Sequence, residues 1–204
     1  MLRSTARSLR IRLSQLQEFR DWKRRDYSAP SPNPVKREVL RRYSLPDATW
    51  IETGTYAGDT TAFLAPHSKK IFSVEPEPKL FALARERFRT ASNVEIINDV
   101  SEVALPAVLA QISGNVCLWL DGHFSAGDTF QGSTDCPIEQ ELMAVAANMY
   151  RFSKVNIMID DIRLFGHPQF PDYPTLDYLV NWCREHSFKW SIEQDILIAQ
   201  STLP

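Results

Sequence analysis

The sequence predicts an α/β fold: an open, mostly parallel, seven-stranded sheet with helices on both faces and a terminal antiparallel hairpin. Three observations carry this expectation. Short apolar segments alternate with amphipathic ones along most of the 204 residues, the pattern of repeated strand–helix units in a single domain. Two segments, "VCLWLD" ending at Asp121 and "VNIMID" ending at Asp160, are almost wholly apolar, as strands buried on both faces should be. The last segment, "KWSIEQDILIAQ", divides into two strands around Gln194–Asp195 with no room for a helix between them, so the pair must be antiparallel.

The elements follow in order. "MLRSTARSLRIRLSQL" is basic and free of acids, with Leu9, Leu13 and Leu16 at helical spacing, and "SAPSPNPVK" reads as a proline-rich linker. Residues 1–34 therefore form a basic arm, and residues 35–204 the body. A short helix, Val35–Tyr43, leads into "ATWIET", the first strand. Gly58, Asp59 and Thr60 start a helix that stops before Pro66. "KIFSVE" is the second strand, and "EPKLFALARERF" a helix with Leu80, Ala84 and Phe88 on one face. "VEIIN" is the third strand, followed by a helix over Val103–Ile112. The fourth strand leads through a glycine-containing loop, Gly122–Asp135, to a helix over Pro137–Tyr150. The fifth leads through a loop with Pro168, Pro171 and Pro174 to a helix over Thr175–His186.

Composition narrows the function. Residues 1–44 carry 12 Lys/Arg against 4 Asp/Glu, net +8, whereas the other 160 residues are net −10. The arm is open to several readings: a solvated helix packed on the body by its leucines, a contact with a membrane surface, a partner or a second subunit, or a transit peptide. The body shows no basic patch interleaved with aromatics, so nucleic acid is not the expected partner. No apolar run reaches the roughly 20 residues of a membrane span. Three unpatterned cysteines, Cys117, Cys136 and Cys183, suggest neither a disulfide framework nor a zinc site, and point to a reducing cytoplasm.

Five strand–helix units closed by an antiparallel hairpin resemble the class I S-adenosylmethionine (SAM) methyltransferases; a dinucleotide-binding domain would continue with a parallel sixth strand. In such sheets ligands bind at the carboxyl ends of the strands. The first strand ends in Glu52-Thr-Gly54-Thr55-Tyr56-Ala-Gly58, similar to the methyltransferase first motif that wraps the methionine part of SAM, with Tyr56 where a further glycine often stands. Glycine permits close backbone approach, and the Glu52 carboxylate suits a nearby sulfonium or amine. The corner alone would equally suit plain strand–helix punctuation. Glu75 ends the second strand 21 residues after Gly54 and can accept from two ribose hydroxyls. After the third strand, Asp99 matches the position of an adenine-side turn; it could equally cap the following helix.

A second acidic group stands at the ends of strands four and five: Asp121, Asp160 and Asp161. Crowded carboxylates repel unless a cation or proton compensates, and hard oxygen donors favour Mg²⁺, or Ca²⁺ or Mn²⁺; the other reading is that Asp160 and Asp161 cap the following loop and Asp121 simply ends its strand. The segments "IETGTYAGDT", "WLDGHFSAGDTFQGSTDCPIEQEL" and "MIDDIRLFG" resemble bacterial class I SAM-dependent methyltransferase-like proteins of undefined substrate. More distantly, the three aspartates resemble the Mg²⁺ ligands of macrocin-type sugar O-methyltransferases, with His123 where those have a further acid. The resemblance implies SAM held by Glu52, Gly54, Thr55, Tyr56, Gly58, Glu75, Asp99 and Asp121. It implies Mg²⁺ on Asp121, Asp160 and Asp161. His123, which departs from that pattern, is the candidate general base beside Asp121, because an ordinary histidine pKa of about 6.5 lets it accept a proton at neutral pH. His123 is also readable as an ordinary loop histidine. The expected activity is O-methyl transfer to a small-molecule or sugar hydroxyl. The alternatives are a non-catalytic SAM-binding or interaction module and a nucleotide-dependent Rossmann-type enzyme.

Overall fold

The computed structural model describes residues 14–122 and 135–202. Helix α1 covers residues 14–24 and α2 covers Asn33–Arg42. The sheet and its helices then alternate: β1 (Thr49–Thr53), α3 (Asp59–Leu64), β2 (Lys70–Val74), α4 (Pro78–Arg87), β3 (Val94–Ile97), α5 (Ser101–Gln111) and β4 (Gly114–Leu120). They continue with α6 (Ile138–Asn148), β5 (Phe152–Ile159), α7 (Leu176–Glu185), β6 (Phe188–Glu193) and β7 (Ile196–Ser201). The strand order is β3-β2-β1-β4-β5-β7-β6. Strands β1 to β5 pair in parallel, and β7 runs antiparallel to both β5 and β6. This is the sheet the sequence predicts, and the antiparallel β7 separates it from a doubly wound dinucleotide-binding sheet.

The apolar strands are explained by two cores, one on each face. Successive side chains point to opposite faces of a strand. In β4, Val116, Leu118 and Leu120 join one core and Cys117 and Trp119 the other. In β7, Leu197 and Ala199 alternate in the same way with Ile196 and Ile198. The first core is covered by α5, α6 and α7 through Leu105, Leu142 and Trp182; the second by α2 and α3 through Leu40 and Leu64. All three cysteines are buried and outside any disulfide among the described residues, and burial pushes the thiols of Cys117 and Cys136 up to about 12, so neither is an available thiolate at neutral pH. Among the described residues no helix is long and apolar enough to cross a membrane.

Helix boundaries fall within about two residues of expectation. Helix α5 begins at Ser101 and not at Val103, because the Val100 carbonyl already accepts from the amides of Val103 and Ala104. The hairpin turns on Gln194 (φ 55°) and Asp195 (φ 68°), the paired left-handed residues whose twist matches the flanking strands.

The segment between α1 and the body is anchored. Ser31 and Pro32 are buried, and the Ser31 hydroxyl donates to Gln194 Oε1 at 2.9 Å in the hairpin turn. Further along α2, Arg42 pairs with Glu193 at 2.5 Å, and the Tyr43 hydroxyl donates to the same carboxylate at 3.2 Å. A protein lacking residues 1–30 keeps all of these contacts. It is expected to melt in a single cooperative transition; a truncated chain without one would make α1 part of the core.

Candidate functional site at the carboxyl ends of the strands

The strand order reverses between β1 and β4, and there the two strand ends come unusually close. A Cβ on Gly54 would stand 2.6 Å from the carbonyl oxygen of Asp121. Gly54 also has φ +86°, so glycine is required at this position on two counts. The approach is reciprocal: a Cβ on Gly122 would lie 2.9 Å from the Thr53 side chain. The Thr53 hydroxyl is buried and has no hydrogen-bond partner among the described residues. This is the switch point, where open α/β sheets bind ligands.

Glu75 closes the turn from the β2 side. Its two carboxylate oxygens accept from the amides of Tyr56 (2.7 Å) and Glu77 (3.0 Å). The amides of Gly54 and Thr55 both donate to the Val74 carbonyl. The glycine corner is thus laced onto the end of β2, and each Glu75 oxygen retains a lone pair for a further donor. Burial raises the Glu75 pKa, and the two amide bonds oppose that rise. Tyr56 adopts φ 48° with its ring exposed. From outside, Arg87 braces the corner by donating to the Ala57 carbonyl and to Asp59 Oδ1 (2.7 Å).

Glu52 lies beneath the turn. It is 1% exposed, and its Oε2 accepts from the hydroxyls of Thr61 (2.5 Å) and Ser73 (2.7 Å). Ser73 in turn bonds the Thr55 hydroxyl at 2.6 Å. Burial pushes the Glu52 carboxyl up to about 7; the two hydroxyl bonds work against the rise and the nearby Glu75 charge adds to it. Glu52 therefore ties α3 and β2 to the corner. Asp99 is exposed at the end of β3 and accepts from the Val100 amide at 2.9 Å.

At the end of β5 the aspartates have a counterion that the sequence reading did not supply. Lys36 of α2 reaches across with its Nζ 2.5 Å from Asp160 Oδ2 and 3.3 Å from Asp161 Oδ1. Burial disfavours the ammonium, but Asp160, Asp161 and Asp121 together outweigh it and raise the Lys36 pKa. Asp161, at φ 55°, also accepts from Arg163 at 2.6 Å, and Arg163 pairs with Asp195 of the hairpin. Mg²⁺ fits this donor set poorly, because the ammonium takes the position between the two carboxylates that the ion would need. Among the described residues no acidic, histidine or cysteine cluster has the arrangement of a metal site. The cue to Lys36 was the run of cations in residues 1–44, but nothing local assigned one of them to Asp160.

On the face covered by α5, α6 and α7, Leu120, Gly122, Cys136, Ile138, Ile159 and Phe165 line a small crevice. Tyr173 is buried against Phe165 with ring centroids 5.3 Å apart; burial and then the charges of Cys136, Asp161 and Asp121 raise its phenol pKa. His123 and most of the Gly122–Asp135 loop lie outside the described residues.

No protein-family model matches this chain. A curated relative, "Probable ribosomal RNA small subunit methyltransferase A" of Methanosarcina mazei, is 39% identical over 73 residues, which span 35% of this chain and 27% of the relative. An rRNA methylase from Streptococcus thermophilus shares the fold at TM-score 0.51 and 16% identity, over 87% of this chain and 98% of its own. The N-methyltransferase NodS of Bradyrhizobium japonicum does so at TM-score 0.52 and 17% identity, over 82% and 96%, and has also been solved with S-adenosylhomocysteine. The chain has the class I SAM methyltransferase fold. One expectation is overturned: relatives named for ribosomal RNA stand against the exclusion of nucleic acid. That exclusion rested on the acidic body alone, although the cations that could meet phosphates are concentrated in residues 1–44.

A raised carboxyl pKa makes a testable signature. The folded state holds the Glu52 proton more tightly than the unfolded chain, so the stabilisation is complete below about pH 4.5, is lost as pH rises to about 7, and is level above. At about 1.4 kcal/mol per unit the loss is about 3 kcal/mol. Glu52→Gln, which mimics the protonated form, should therefore gain in melting temperature relative to the unsubstituted protein between pH 5 and 8. A difference that does not change with pH would show that Glu52 titrates normally.

Proposed function

We propose that this chain is a SAM-dependent methyltransferase. The observation that carries the reading is the Gly54–Asp121 crossing at the switch point, walled by Glu75, in a sheet of this strand order. Glu75 would hold the ribose hydroxyls through its remaining lone pairs. The backbone from Gly54 to Gly58, with the side chains of Thr55 and Tyr56, would enclose the methionine part. Asp99 would lie at the adenine end. SAM, when bound, supplies an electrophilic methyl group; the protein must align a nucleophile with it and accept the nucleophile's proton.

Transfer to oxygen is the finer part of the proposal. The carboxylates of Asp121 and Asp161 stand at the adjacent strand ends and can orient a hydroxyl by accepting its hydrogen bond. His123 is the proposed general base. The relatives named for ribosomal RNA make RNA the first acceptor to assay, and a ribose 2′-hydroxyl is the sugar hydroxyl it offers. Mg²⁺ has no part in this reading, because Lys36 already bridges Asp160 and Asp161.

Calorimetry with SAM and S-adenosylhomocysteine tests the cofactor, and incorporation of label from methyl-labelled SAM into RNA tests the acceptor. Glu75→Ala should weaken SAM binding by about 1.5–3 kcal/mol, the range for hydrogen bonds to a charged group. Unchanged affinity in the folded variant, or binding of NAD in place of SAM, would sink the assignment.

A further inference from the structure

The acidic pair at the end of β5 has an uncommon counterion. Asp160 is 2% exposed, its Oδ1 accepts from the Asp161 amide at 2.8 Å, and its Oδ2 faces Lys36. The Lys36 side chain is itself only 14% exposed, and it arrives from α2, 124 residues away in sequence. A second cation acts on Asp161: Arg163 pairs with it and with Asp195 of the hairpin. Asp121 lies near enough for its charge to act on Lys36. Removing the ammonium would leave a buried carboxylate beside a second one.

From this geometry we infer that Lys36 is a positioning residue of the site: a built-in cation that holds Asp160 and Asp161 at the acceptor side where a divalent ion would otherwise be needed. Its ammonium meets oxygens of both carboxylates from one point, as a bound ion would, but it is covalently fixed to α2. The segment before β1 thereby becomes part of the site. It is pinned to the same end of the sheet by Ser31 on Gln194 and by Arg42 on Glu193. The consequence for chemistry is that the pair presents a fixed, partly neutralised set of acceptors without exchangeable metal. The role in positioning an acceptor rests on the methyltransferase reading; the cation assignment does not.

The test uses the full chain, with Mn²⁺ as the probe. Lys36→Met should lower the melting temperature at pH 7.5 by roughly 10 °C, the scale for breaking a buried ion pair in a domain of this size. Lys36→Arg should recover most of that loss. Millimolar Mn²⁺ should restore much of the stability of Lys36→Met and give a bound Mn²⁺ signal by electron paramagnetic resonance, while leaving the unsubstituted protein unchanged in both readouts. If Lys36→Met does not fold, the double variant Lys36→Met/Asp160→Asn takes its place: it should fold and show no Mn²⁺ site, and failure of this variant to fold would overturn the inference. So would tight Mn²⁺ binding by the unsubstituted protein, a Lys36→Met protein that melts normally, or a loss that Mn²⁺ does not reverse. SAM calorimetry on the unsubstituted protein is read separately, so absence of SAM binding would count against the methyltransferase reading and not against Lys36 as the cation.

Discussion

The carbonyl oxygen of Asp121 occupies the space where a side chain at residue 54 would begin. Much of the carboxyl edge of this sheet follows from that one steric constraint. Because residue 54 is glycine, β1 and β4 can end side by side, and the chain can turn at positive φ over the end of β2. The turn delivers the Tyr56 amide to Glu75, and Glu75 becomes a structural acceptor that fastens the glycine corner to the end of β2. Gly122 allows the same approach from the β4 side. Any larger residue at either position would push the strand ends apart at the place where a ligand would sit.

Two kinds of carboxylate result, and their environments set their work. Glu52 is enclosed by hydroxyls, with no ion pair among the described residues, and burial raises its pKa to about 7. It serves as a tie within the corner and gains little from ionising. Asp160 is as deeply buried but faces an ammonium, and the pair is held as an ionic bridge between α2 and β5. Such a bridge is costly to desolvate and costlier to break, so it specifies how α2 docks more than it adds net stability. Arg163 extends the bridge to the hairpin through Asp195, which joins α2, the end of the fifth strand and the final turn into one cluster.

Placed together, the edge has two compartments. On the β1–β2 side lie the glycine corner, Glu75 and, further out, Asp99. On the β4–β5 side lie Asp121, the Lys36–Asp160–Asp161 bridge and the crevice walled by Phe165 and Leu120. A donor on one side and an acceptor on the other would meet over the ends of β1 and β4.

The sequence by itself determined the sheet. Apolar alternation, the glycine corner and a hairpin too short for a helix are local signals, because they arise from backbone sterics and from burial of neighbouring residues. Glu75 was legible for the same reason: it ends a strand at a fixed distance from a glycine turn. Only the tertiary structure decided what each carboxylate does. The sequence reading set Glu52 against a ligand cation, but the fold buries it under Thr61 and Ser73. It offered Asp160 and Asp161 to a metal, but Lys36 meets them from the far end of the chain. Charge pairing acts through space between residues that share no sequence pattern, and which of the many cations in residues 1–44 reaches Asp160 depends on how α2 packs on the finished sheet.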